Sequence, residues 1–159
     1  MPRIQLTTVL NAPIERCFDL ARDIDFHQRW VEHTAERAIG GVTSGLIALG
    51  ETVTWEATHF GVRQRLTVRI PGYERPHSFV DEMTRGAFAR FTHRHEFLAV
   101  AGGTAMRDDF DYTAPLGPLG KIADGLFLER YMRRLLLTRN RELRRVAEQL
   151  TEQEVQELR

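Results

Sequence analysis

One cysteine, Cys17, stands among 159 residues, so no internal disulfide can form, and no CxxC or other cysteine cluster offers a cage for zinc. Lysine is nearly missing too: Lys121 is the only one among 22 basic side chains, and 22 acidic ones cancel them to a formal charge of zero. That balance argues against a global electrostatic grip on nucleic acid. No run of about 18 apolar residues occurs, and the start MPRIQLTTVL lacks the basic stretch and apolar core of a secretory signal. GxSxG, P-loop, GxGxxG and Cys-His signatures are also missing. What remains is 42% hydrophobic and 28% charged, the composition of an ordinary globular chain long enough to bury one core. The expectation is a single cytoplasmic domain over residues 1–159, with no nucleic-acid partner, no stable membrane insertion and homodimerisation left open.

Ile4 to Leu10 is rich in β-branched and apolar residues and ends at Asn11-Ala12-Pro13, where proline presets a helix start. Ile14, Cys17, Phe18 and Ala21 then recur at helical spacing, and Asp23 is placed to cap a second short helix bearing Phe26 and Trp30. From about Ala35 the period becomes two. Ile47, Leu49, Val53, Trp55 and Ala57 oppose Thr52, Thr54, Glu56 and Thr58, and in VRQRLTVRI the apolar Val62, Leu66, Val68 and Ile70 oppose Arg63, Arg65, Thr67 and Arg69. Breaks are expected at Pro71-Gly72 and Pro76, with turns at Arg85-Gly86 and Gly102-Gly103 around the strands SFVDEM, AFARFTHRHEFLAV and TAMRDDFDYTA. After APLGPLG a helical period returns from Leu119 to Leu150 through Ile122, Leu126, Tyr131, Leu135, Leu143 and Val146. A helix of about 30 residues is roughly 45 Å long, enough to cross a small sheet. Over residues 129–145 it carries seven arginines against two glutamates, a net charge of +5. That stripe reads either as a solvated face or as a contact for anionic headgroups, nucleic acid or an acidic partner.

This order is α+β: one strand, two short helices, a curved antiparallel meander of about six or seven strands, and a long C-terminal helix. In NAPIERCFDLARDIDFHQRW, PHSFVDEMTRGAFARFTHRHEF and TAPLGPLGKIADGLFLERYMRRLL the chain resembles the START-like (SRPBCC, helix-grip) superfamily. Within it, the middle stretch is similar to an uncharacterised ligand-binding subfamily related to polyketide cyclase/dehydrase-like proteins. The resemblance implies a sheet gripping the last helix around an apolar cavity. It implies chemistry less firmly, since such folds serve both carriers and cyclases.

Strand parity selects the residues that face this cavity. Ala87, Ala89, Phe91, His93, His95 and Phe97 share one face of their strand, and Met106, Asp108, Phe110 and Tyr112 share one face of the next. A hairpin pairing Phe97 with about Met106 sets Asp108 opposite His95, or opposite His93 after a two-residue change. A carboxylate beside a buried histidine orients the ring and raises its pKa, as a general acid/base requires. The same pair can also be a satisfied structural contact. His95 and Asp108 are therefore the candidate catalytic residues, while Trp30, Trp55, His59, Gln64, Asp81, Phe91, His93, Phe110 and Tyr112 are the candidate ligand contacts. His93-x-His95 with a nearby acid superficially suits a metal, but no third ligand stands at a defined spacing, so neither a metal nor another cofactor is expected. The leading expectation is a carrier or sensor of a small hydrophobic molecule such as a lipid, isoprenoid or aromatic polyketide. The alternative is an aromatase/cyclase-like enzyme using His95 and Asp108.

Overall fold

The computed structural model describes residues 2–30 and 35–157. Strand β1 (Arg3–Leu10) leads into helices α1 (Ile14–Ala21) and α2 (Ile24–Trp30). There follow β2 (Arg37–Gly41), β3 (Thr52–His59), β4 (Val62–Glu74), β5 (Ser78–Arg85), β6 (Arg90–Val100) and β7 (Gly103–Thr113). Helix α3 (Gly117–Ala123), a π-helical turn (Asp124–Leu128) and α4 (Glu129–Glu157) complete the described chain. All seven strands form one antiparallel sheet in the order β1-β7-β6-β5-β4-β3-β2. Only β1 joins the sheet away from its sequence neighbour, because α1 and α2 carry the chain from one edge to the other.

Local chemistry accounts for the junctions. Pro13 sits immediately before α1 in extended geometry (φ −60°), a conformation its ring already favours. Asp23 caps α2, its carboxylate accepting from the backbone N–H of Asp25 (2.9 Å) and Phe26 (3.2 Å). The β6–β7 hairpin pairs Val100 with Gly103, and Gly102 takes the left-handed conformation that so tight a turn needs (φ 78°). That turn sets the register expected from the sequence: Phe97 faces Met106 and His95 faces Asp108.

One face of the sheet, with α1, α2 and α4 packed over it, forms the core. Phe18 of α1 meets Tyr73, Phe79 and Phe97 edge-on, each at 5.4 Å between ring centres, and Met106, Leu143 and Ala147 continue the packing. Cys17 is buried, and burial raises its thiol pKa, so it packs as a small apolar group.

Several expectations need correction. Strand β4 does not stop at Pro71-Gly72 but runs to Glu74, absorbing the proline in a register shift between Arg69 and Gly72. Leu49 is exposed in the β2–β3 connection rather than on the inner face. Glu56, expected on a solvated face, is buried there by Arg65 (3.0 Å), Arg37 (3.5 Å) and Arg63 (4.0 Å). Parity before Arg90 also fails: Ala87 and Ala89 are exposed in the β5–β6 turn, while Phe88 swings in against Phe91, Phe110 and Tyr112. Finally, Leu119 and Ile122 do not join the core stripe of the terminal helix; they are 70% and 62% exposed.

Candidate functional site

Packing is complete around Leu143 and Ala147 but not along the first half of α4. There a cavity of about 380 Å³ lies between sheet and helix, within the range of small-molecule sites. Val53, Trp55, Leu66 and Val68 of β3 and β4 form one wall, Phe91 and Phe110 a second, and Met132, Leu135 and Leu136 of α4 the roof. At its rim His59 Nδ1 and the Tyr131 hydroxyl lie 2.6 Å apart, joining the end of β3 to α4. Gln64 also lines the cavity.

A polar cluster interrupts this apolar lining. Asp81, His93, His95 and Arg139 reach the wall, and Asp108, wholly buried, lies beneath them. Strand pairing brings them together, for Asp81 faces His93 across β5–β6 and His95 faces Asp108 across β6–β7. Asp108 Oδ1 accepts from His93 Nε2 (2.9 Å) and Arg139 (3.1 Å) and lies 3.1 Å from His95 Nδ1. Its Oδ2 accepts from Asn140 Nδ2 (2.7 Å), which also reaches Thr8 Oγ1 (3.2 Å). The other nitrogen of His95, Nε2, lies 2.8 Å from Asp81 Oδ2.

Charges in the cluster follow from these contacts. Burial would raise the Asp108 carboxyl, but the Arg139 charge and the bonds from His93 and His95 hold it well below the usual range. Asp81 is treated the same way, burial being outweighed by His95 and then by the charges of His93 and Arg139, so its pKa is lowered. Burial also opposes a charge on His95, yet its bonds to Asp108 and Asp81 raise its pKa. His93 goes the other way: burial and the neighbouring His95 push it down to about 4. Two carboxylates face one guanidinium and two imidazoles, of which His95 is the one whose protonated form its neighbours favour. The cluster is thus a closed ion-pair network with its polar edge on an apolar cavity.

Asp81, His93 and His95 also place one potential metal-ligand atom each within 4.8 Å of one another, the one such group among the described residues. The chemistry around them suits a proton better. His95 Nε2 already bonds Asp81, Arg139 supplies the compensating cation, and a divalent ion would leave the buried network with excess positive charge.

A family model described as polyketide cyclase/dehydrase and lipid transport matches residues 1–148. The chain belongs to this family. Solved structures repeat the fold at low identity. TTHA0849 from Thermus thermophilus is 16% identical, with a TM-score of 0.69 over 89% of this chain and 97% of that one. A START superfamily protein from Mycobacterium smegmatis is 13% identical, with a TM-score of 0.69 over 93% and 98%. Major latex-like protein 151 from Panax ginseng is 11% identical, with a TM-score of 0.61 over 92% and 97%. No curated protein matches the chain in sequence. As in these relatives, the chain folds as a helix grip of START type, and no helix among the described residues is long and apolar enough to cross a membrane.

Of the residues singled out in the sequence, Trp55, His59, Gln64, Asp81, Phe91, His93, His95 and Phe110 line the cavity. Asp108 does not; it sits behind both histidines, in contact with each. Tyr112 is fully buried against Phe88 and Phe110, behind the lining rather than in it. The side chain of Trp30 lies outside the described part of the structure. Sequence reasoning missed Arg139 and Asn140, which it counted with the surface of the arginine stripe or passed over. The signal was present: they fall three and four residues after Leu136 and precede Leu143, on the buried stripe of α4.

Proposed function

We propose that this protein binds a small, largely hydrophobic molecule carrying one neutral hydrogen-bonding group, and that it serves as a carrier or sensor for that molecule. The observation behind this reading is the unfilled, mainly apolar cavity of about 380 Å³ with the Asp81–His93–His95 cluster on its inner wall. Burial of apolar surface supplies affinity, while Asp81 and His93 select the polar end. A formally charged end is disfavoured, because the ionic groups of the cluster already bond one another and a further buried charge would lack a partner. A lipid tail, an isoprenoid or an aromatic polyketide has the required shape. Native mass spectrometry of the purified protein tests this. An apolar molecule should be retained, and His95→Ala should weaken retention without abolishing it. Protein that arrives empty and takes up no apolar probe contradicts the reading.

A second reading rests on a different observation, the opposite pKa shifts of two adjacent imidazoles at the cavity wall. Two adjacent imidazoles whose pKa values are pushed apart can serve as an acid and a base side by side. This suits the proton transfers of an aldol cyclisation or a dehydration, with His95 as acid through Asp81 and His93 as base. His95→Ala should then eliminate turnover of a cyclisable substrate while leaving its binding intact. Unchanged turnover sinks this reading.

A further inference from the structure

The cavity rim carries large apolar side chains that face outward. Phe60, at the β3–β4 turn, is 61% exposed and Leu116, before α3, is 78% exposed. Both hold left-handed backbone, with φ of 52° and 68°. A solvent-facing turn of that geometry favours glycine or asparagine, so these positions run against both the local backbone preference and the preference for water. Leu119 and Ile122 extend the apolar surface along α3. Phe127, in the π-helical turn that follows α3, is 52% exposed. Phe127 in turn meets Phe60 at 6.1 Å between ring centres, and Phe60 meets Tyr131 at 4.6 Å. Patch and cavity mouth therefore coincide.

Charge identifies what covers this patch. Lys121, Arg130 and Arg134 are exposed around it, and Arg130 and Arg134 share a shallow depression with Phe60, Phe127 and Tyr131. Apolar side chains flanked by Lys121, Arg130 and Arg134, with the exposed Glu129 paired to Arg133 (3.7 Å), match an anionic lipid bilayer, in which the apolar groups enter the acyl boundary while the cations meet headgroups. We infer that the α3 and β3–β4 rim docks on anionic membrane surfaces, placing the cavity mouth against the source or destination of its ligand. This rests on the carrier reading above and adds to it the compartment surface with which the carrier exchanges.

Sedimentation of the full chain with phosphatidylcholine vesicles, with and without phosphatidylglycerol, tests the inference. Wild type should sediment with the anionic vesicles only. Raising salt from about 0.1 M to about 1 M, which shortens the Debye length from ~10 Å to ~3 Å, should weaken the association. Arg130→Glu with Arg134→Glu should lower affinity by at least about 25-fold, and Leu119→Ser with Ile122→Ser by at least about tenfold. None of these four side chains lines the cavity, so uptake of the neutral dye 1-N-phenylnaphthylamine without vesicles should be unchanged. Failure of wild type to sediment with anionic vesicles, or retention of wild-type binding by either variant, overturns the docking. If dye uptake persists in that case, only the docking falls; if dye uptake is also missing, the carrier reading falls with it.

Discussion

Replacing Arg139 by methionine removes the one permanent cation from the buried cluster and keeps most of the packing of its stem. Asp108 then loses a guanidinium donor at 3.1 Å while remaining wholly buried. Stripping one partner from a buried ion pair costs about 3–5 kcal/mol. Here the lower end applies, because His93, His95 and Asn140 still contact the carboxylate. A loss of about 3 kcal/mol in a chain of this size lowers Tm by roughly 6–12 °C. Urea and thermal unfolding followed by circular dichroism measure both quantities. Asp108→Asn alone leaves the arginine uncompensated, whereas the double variant removes both charges. The two substitutions should therefore couple favourably by about 1–3 kcal/mol in a double-mutant cycle. A loss below about 1 kcal/mol for Arg139→Met, or strict additivity with Asp108→Asn, would refute the claim that this arginine compensates the buried carboxylate.

Stability should peak near neutral pH, with distinct causes on either side. His93 has a folded pKa of about 4 against 6.5 unfolded; it therefore takes up its proton more readily when unfolded, and stability falls by about 3 kcal/mol as pH drops from 6.5 to 4. His95 is raised, so its contribution is complete below 6.5 and fades as pH climbs through its folded pKa. Asp108 and Asp81 are lowered, and what they add is lost in still stronger acid. Urea midpoints across pH should show the slope between 6.5 and 4, flattened in His93→Gln; an equal slope in the variant argues against the buried neutral imidazole. Phe18→Ala, which empties the centre of the aromatic contacts with Tyr73, Phe79 and Phe97, should cost about 3–5 kcal/mol in the same assay. A cost under about 1 kcal/mol would mean that α1 does not anchor the closed end of the core.

Much of the site was legible because strand parity is rigid. Once Phe97 faces Met106, His95 must face Asp108, and Asp81 falls inward with His93 by the same alternation. Helix faces are less legible. Leu119 and Ile122 have the spacing of a buried stripe, but periodicity says only that one side is apolar, not what covers it, and here nothing from the core does. Arg139 fails in the opposite direction. Arginine is usually a surface residue, and only the buried Asp108, contributed by a strand 31 positions earlier, makes its inward position tolerable. At Phe88 and Pro71 the alternation breaks, because parity does not survive a turn or a bulge, where one extra residue reverses every side chain beyond it.

The space under the first half of α4 is proposed to receive an apolar ligand. Titration of 1-N-phenylnaphthylamine into wild type and into Leu135→Trp, which places an indole in the cavity roof, tests it most directly. Wild type should show one saturable site per chain, with quenching of Trp55 at the cavity wall, and binding should fall at least about tenfold in the filled variant. Equal binding by the two proteins, or none by wild type, would contradict it.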